Sequence, residues 1–250
     1  MEKFKNLQNT LKKAKGIYQI SGCIDSQKTH MIYTAGNGFT HKIIASFSET
    51  KMREMYEDYR FFDKSAMIFP ARDLIFFQSD LHGNLITRER MTAIKAILEE
   101  EELTIFTTVD ALMDSLMPLD LIKASVIELK PADIIDINNL IAQLVLMGYE
   151  KNYQAESPGQ FSVRGGIIDI YSLTEETPFR IELWDDEIDT IRSYDAQTQR
   201  SIENLELIRI YPATELVADN DRINKAAQAM KKDAGAGGTE SCDWLTVPCS

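Results

Sequence analysis

Hydrophobic and polar positions along this chain follow two different regimes. Up to about residue 117, short apolar runs alternate with stretches of helical spacing. Residues 42–47 (KIIASF) read as a strand, and Ser48-Glu49-Thr50 as the start of a helix. That helix continues through 51–61 with Met52, Met55, Tyr56 and Tyr59 on one face. Residues 65–69 form a second strand, stopped by Pro70. Residues 87–102 read as a long helix ending in four glutamates, 103–108 as a third strand, and 109–116 as a short helix stopped by Pro118. Ahead of these, residues 1–15 are Lys-rich and amphipathic, with Phe4, Leu7 and Leu11 at helical spacing. Strands alternating with helices predict an α/β layout with a largely parallel sheet.

From Pro118 the pattern changes. Residues 121–129 read as a strand, and Pro131-Ala132-Asp133 as the cap of a helix that runs to Met147 and ends at Gly148. The stretch 158–194 then reads as three β-strands joined by turns. In the first, 160–163 alternates, Gly165-Gly166 interrupts as a bulge or tight bend, and the β-branched run 167–171 resumes. Residues 179–184 alternate strictly, and 188–194 follow an acidic turn at Asp185-Asp186-Glu187. Residues 202–211 are a further strand pair or extended run. A helix followed by antiparallel strands is an α+β arrangement, so a boundary is placed near 116–120. The chain divides into an α/β domain (1–117) and a smaller α+β domain with an antiparallel sheet (118–208). Residues 209–233, which hold an alanine-rich helix at 219–232, start a following helical segment, and 234–250 read as a disordered tail.

The alternation in 179–184 carries the functional clue. Phe179, Ile181 and Leu183 share the face expected to be core; Arg180, Glu182 and Trp184 share the other. Arg164 lies opposite Phe161 and Val163. An exposed Arg–Trp–Arg set on a small sheet is the composition of a protein–protein hot spot. The competing reading is that Trp184 folds under a neighbouring element and the arginines are ion-paired.

Charge narrows the choice of partner. The net charge of −12 opposes phosphate binding, so the chain is not expected to hold nucleic acid by itself. Cys23, Cys242 and Cys249 have no metal-ligand spacing with His30, His41 or His82, and read as reduced thiols of a cytoplasmic protein. No run is long enough to span a membrane, and the N-terminus lacks the apolar core of a signal peptide. No triad or general acid/base pair emerges, and Asp185-Asp186-Glu187 is turn chemistry. One stretch carries a partial nucleotide-binding signal. Residues 22–29 approach G-x-x-x-x-G-K-[ST], with Gly22, Lys28 and Thr29 in place. Gln27 stands where the second glycine lets backbone amides close on phosphates, and Asp25 adds a negative charge. The loop reads as the relic of a nucleotide-binding fold.

The segments GQFSVRGGIIDIY, FRIELWDDEIDTIRSYD and QTQRS resemble the second domain of the transcription-repair coupling factor family (Mfd) and the matching domain of UvrB. The resemblance extends more weakly from about Leu11 to about Ala218. It implies a degenerate P-loop, helicase-like α/β domain that has lost its ATPase motifs, followed by a domain that docks UvrA. The family's two binding arginines fall on Arg164 and Arg180. Its aromatic falls on Trp184, where phenylalanine is more usual, and Glu182 belongs to the same strand. The resemblance also implies no catalysis and no cofactor in this fragment, which would recruit UvrA during nucleotide excision repair. ATP and Mg2+ would belong to motor domains later in a full-length member, and RNA polymerase and DNA would be reached only through later domains. The alternative is an ATP-binding UvrB-like repair or helicase fragment that uses the loop from Gly22 to Thr29.

Overall fold

The computed structural model describes residues 6, 8–11, 16, 17, 19–72, 80–99 and 102–216. It is a mixed α/β structure with a three-stranded parallel sheet, a six-stranded, largely antiparallel sheet and a two-stranded antiparallel pair. The parallel sheet joins β1 (His41–Ser46), β2 (Met67–Phe69) and β3 (Leu103–Thr108) in the order β1-β3-β2. Parallel neighbours need crossovers. These are α2 (Glu49–Tyr59) and α3 (Asp80–Glu99), while α1 (Asp25–Gly36) precedes β1 and α4 (Val109–Met113) follows β3. Ser48 caps α2, its hydroxyl accepting from the Lys51 amide at 3.3 Å. Met52 and Tyr59 of α2 are fully buried against Ile68 and Phe106, as the helical spacing predicts. Ala96 of α3 covers the opposite face at Leu103 and Ile105, so the central strand β3 is buried throughout.

The run 121–129 is not one strand. Residues α5 (Leu119–Ser125) are helical, and only β4 (Ile127–Leu129) is extended. Pro118 stands at the N-cap, and one turn of helix drops Ile122 into an apolar cluster with Met91 and Ile94 of α3. That burial overrides the strand preference of the local sequence.

The second sheet runs in sequence order through β5 (Glu150–Lys151), β6 (Gln160–Arg164), β7 (Ile167–Tyr171), β8 (Phe179–Trp184), β9 (Glu187–Tyr194) and β10 (Ser201–Asn204). All pairs are antiparallel except β5 with β6. The glycine pair is a two-residue hairpin rather than a bulge within one strand, which makes four strands where the pattern reads as three. Gly165 takes φ 59° at the first turn position, the geometry for which a leading glycine is favoured. Gly166 comes so close to β8 that a Cβ would lie 3.0 Å from the Leu183 carbonyl oxygen. Helix α6 (Ile137–Leu146) covers one face, placing Leu140 and Leu144 on Phe161, Ile168, Ile170 and Ile181. Its cap is Asp136, three residues beyond the expected turn, which accepts from the Asn138 and Asn139 amides at 2.9 and 3.4 Å. Finally β11 (Ile208–Ile210) pairs with β4.

Gly148 ends α6 at φ 86°, and a Cβ there would sit 2.9 Å from Thr214 Cγ2. Gly148→Ala combines a left-handed backbone with a steric clash. It should cost about 2 kcal/mol in chemical denaturation, and a cost near zero would show that the 214 turn gives way.

Helix α3 joins the two sheets. Lys95 pairs with Glu175 at 2.5 Å, and the Tyr211 hydroxyl donates to Glu99 at 2.7 Å. Arg90, fully buried, reaches Glu215. The expected helix at 219–232 and the tail at 234–250 lie outside the described residues, as does most of 1–15. Among the described residues, no helix is long and apolar enough to cross a membrane.

A candidate docking face on the antiparallel sheet

Helix α6 and the core occupy one side of the antiparallel sheet, so the alternate residues of β6 to β9 face the other way. Their register places them in rows. One row is Ser162, Asp169, Arg180 and Arg192; the next is Arg164, Ile167, Glu182 and Thr190. Beyond them Trp184 pairs with Glu187 at the hairpin.

Asp169 is the centre of this face. It is 1% exposed, and its carboxylate is covered by two guanidinium groups. Arg180 donates from Nε to Oδ1 at 2.6 Å and from Nη2 to Oδ2 at 2.9 Å, a bidentate fork. Arg164 donates from Nη2 to Oδ2 at 3.0 Å. A buried carboxylate costs several kcal/mol unless its lone pairs are matched, and here two arginines match them. The Arg180 guanidinium also lies 4.3 Å from the Tyr194 ring centre and donates to Gln199 at 2.8 Å. Hydrogen bonding to Asp169 raises Arg180 above the ordinary guanidinium value against the opposing effect of burial. Burial first, then the Asp169 charge, pushes the Tyr194 hydroxyl up to about 12. Glu182 is engaged by Arg192 and accepts from Thr190 Oγ1 at 3.3 Å.

The sequence-predicted residues therefore share one face but differ in exposure. Trp184 is 82% exposed and does not fold under a neighbour. The Arg180 side chain is only 14% exposed, whereas that of Arg164 is 37% exposed with one nitrogen committed to Asp169. Exposure divides the set: the tryptophan is open and the arginines are ion-paired. Alternation alone does not single out Asp169, Tyr194 or Gln199. An aspartate in the middle of the β-branched run IIDIY was the available signal, since burying it requires cations across the strand.

The loop at Gly22 has a different setting. Gly22 takes φ 87°, and Lys28 and Thr29 lie within α1. Residues 19–21 carry no strand, and Thr29 is 1% exposed. A phosphate-binding loop needs a strand leading into it and a hydroxyl open to the ligand; neither is present among the described residues. Among those residues, too, no group of three or more histidine, cysteine or acidic side chains is placed to hold a metal ion.

Residues 127–216 match the family model described as the UvrB interaction domain, a stretch that runs from β4 to just past Glu215. The chain is 38% identical over 174 residues, 69% of its length, to the transcription-repair-coupling factor of Bacillus subtilis, and covers 14% of that protein. It is 31% identical over 163 residues to the coupling factor of Staphylococcus aureus, again covering 14% of the relative. It is 28% identical over 187 residues to the UvrABC system protein B of Thermosipho africanus, covering 28% of it. The chain thus spans about one seventh of the length of the coupling factors it matches. Residues 127–216, with their buried Asp169 and open Trp184, match the UvrB interaction domain, and the chain is similar to a segment of the transcription-repair-coupling factors.

Proposed function

We propose that this chain is a non-catalytic, cytoplasmic docking module that recruits UvrA in nucleotide excision repair through the outer face of its antiparallel sheet. The observation that carries the reading is Trp184, 82% exposed on the same sheet face as an arginine pair held in place by a buried carboxylate. An open indole sharing a face with ordered cations is the composition of a binding hot spot. Arg164 offers its remaining donors to carboxylates of UvrA. Arg180, whose Nε and Nη2 are turned to Asp169 and Gln199, adds its charge to the same face. The α/β unit serves as a degenerate helicase-type half that carries this sheet and needs no nucleotide of its own. ATP and Mg2+, and the contacts with RNA polymerase and DNA, belong to later domains of a complete coupling factor.

Calorimetric titration with UvrA tests this. Trp184→Ala and Arg164→Ala are each expected to weaken binding by about 2 kcal/mol, roughly thirtyfold, because both side chains lie away from the core. Trp184→Ala should melt with the wild type, and Arg164→Ala somewhat below it, because it takes one of three donors from the buried Asp169 carboxylate. Wild-type affinity in both variants would remove the sheet face from the interaction, and ATP binding by the chain would return attention to the Gly22 loop.

A further inference from the structure

The β8–β9 hairpin carries a feature that the arginine cluster does not use. Glu187 pairs with Trp184 on one side and with Ile134 on the other. Residues directly opposite each other in antiparallel neighbours project to the same face. Trp184, Glu187 and Ile134 therefore form one row across the end of the sheet, and Ile134 is 73% exposed. Its exposure is built in. The Ala132 amide donates to the Ile188 carbonyl at 2.8 Å, the Ile188 amide to Asp133 at 2.9 Å, and the Ile135 amide to Asp186 at 2.9 Å. This ladder fixes the segment as a sheet edge. Ile135 and Ile137 pack against the core, so alternation sends Ile134 outward.

Beside that row, a cleft of about 430 Å³ lies between the hairpin and the start of α6. Its lining combines Ile134, Ile135 and Ile137 with Asp136, Asp185 and Asp186. Apolar walls flanked by carboxylates suit a long cationic side chain, whose methylene stem covers isoleucine while its head meets the acids. A chain carrying a net charge of −12 adds long-range attraction for the same kind of group. We infer that this corner receives a lysine or arginine of the protein that docks on Trp184. The face is then bipolar, with Arg164 taking carboxylates at one end, Trp184 in the middle and the acidic cleft taking a cation at the other. Such a pattern fixes the orientation of the bound partner. This inference rests on the docking reading above.

Titration of the whole chain with UvrA at low and high salt tests it. Ile134→Ala is expected to weaken binding about fivefold to tenfold. The Asp185→Asn, Asp186→Asn pair should weaken it about threefold or more at low salt, with the deficit shrinking as salt rises. All three side chains are exposed, so the variants should melt with the wild type. Wild-type affinity in both, while Arg164→Ala binds weakly, overturns the inference and leaves the docking face standing. A loss in Ile134→Ala with none in the aspartate pair overturns the cationic occupant. Failure of the wild-type chain to bind UvrA overturns both readings.

Discussion

Glu215→Ala is expected to cost about 4 kcal/mol of stability, the largest effect of any single change outside the apolar cores. Arg90 lies in α3 with its side chain 1% exposed, and Glu215 is its main counter-charge. The carboxylate accepts from Arg90 Nε at 2.5 Å and Nη2 at 2.9 Å, and from Arg72 Nη2 at 2.8 Å. Arg90 also donates from Nη1 to the Pro70 carbonyl at 2.5 Å and lies 4.1 Å from the Phe69 ring centre. None of these other contacts replaces the lost charge, and the more distant Asp114, at 3.4 Å, is partly solvated. Truncating the acid leaves a desolvated guanidinium with two orphaned donors. Replacing both partners, as Arg90→Met with Glu215→Leu, should recover most of the loss, because two apolar side chains need no partner. Chemical denaturation of the four-member cycle measures this, and a single-variant loss below about 1 kcal/mol would mean that water enters the site.

The same pair sets an acid limit on the fold. Burial pushes the Glu215 carboxyl up, but hydrogen bonds from Arg90 and Arg72 outweigh it and hold the carboxyl below its ordinary 4.5. A value lowered in the folded state means that the stabilisation is complete above pH 4.5 and is lost as pH falls below it toward the folded value. Glu215→Gln, which cannot ionise, lacks this part of the pH dependence.

Legibility in the sequence divides along physical lines. A period of two is unambiguous where one face packs on a helix, so β8, β9 and the core position of Ile181 follow from pattern, whereas the Gly165-Gly166 hairpin that separates β6 from β7 does not. The residues 119–125 did not, because a single buried position, Ile122, decides that turn, and its partners Met91 and Ile94 are distant in the chain. The open state of Trp184 was also undetermined. Alternation says which face a side chain takes, and only tertiary structure says whether anything covers that face. Arg90 and Glu215 are 125 residues apart and carry no local signature, since an arginine in a helix and a glutamate in a turn are ordinary surface choices.

Asp169→Ala should separate folding from docking at the other buried charge. The carboxylate is 1% exposed, so no partner touches it. Its removal leaves the Arg180 fork, mostly buried itself, without an acceptor, at a cost of about 3 kcal/mol. Asp169→Asn should cost nearly as much, because an amide presents one acceptor and an NH2 where three arginine donors converge. Loss of the carboxylate also frees Arg164, which then spends rotamer entropy on binding that the wild type does not. If the proposed docking holds, affinity for UvrA should therefore fall in the Asp169→Asn variant even at a temperature where it is fully folded. Arg164→Ala, which leaves the Arg180 fork on Asp169 in place, should show the complementary behaviour, weak binding with a melt much closer to the wild type. If Asp169→Asn melts with the wild type, the carboxylate is not the organiser of this face, and Arg164 is placed by its own strand alone. If it melts early but binds normally once folded, the two arginines need no prior alignment, and Trp184 carries the docking energy by itself.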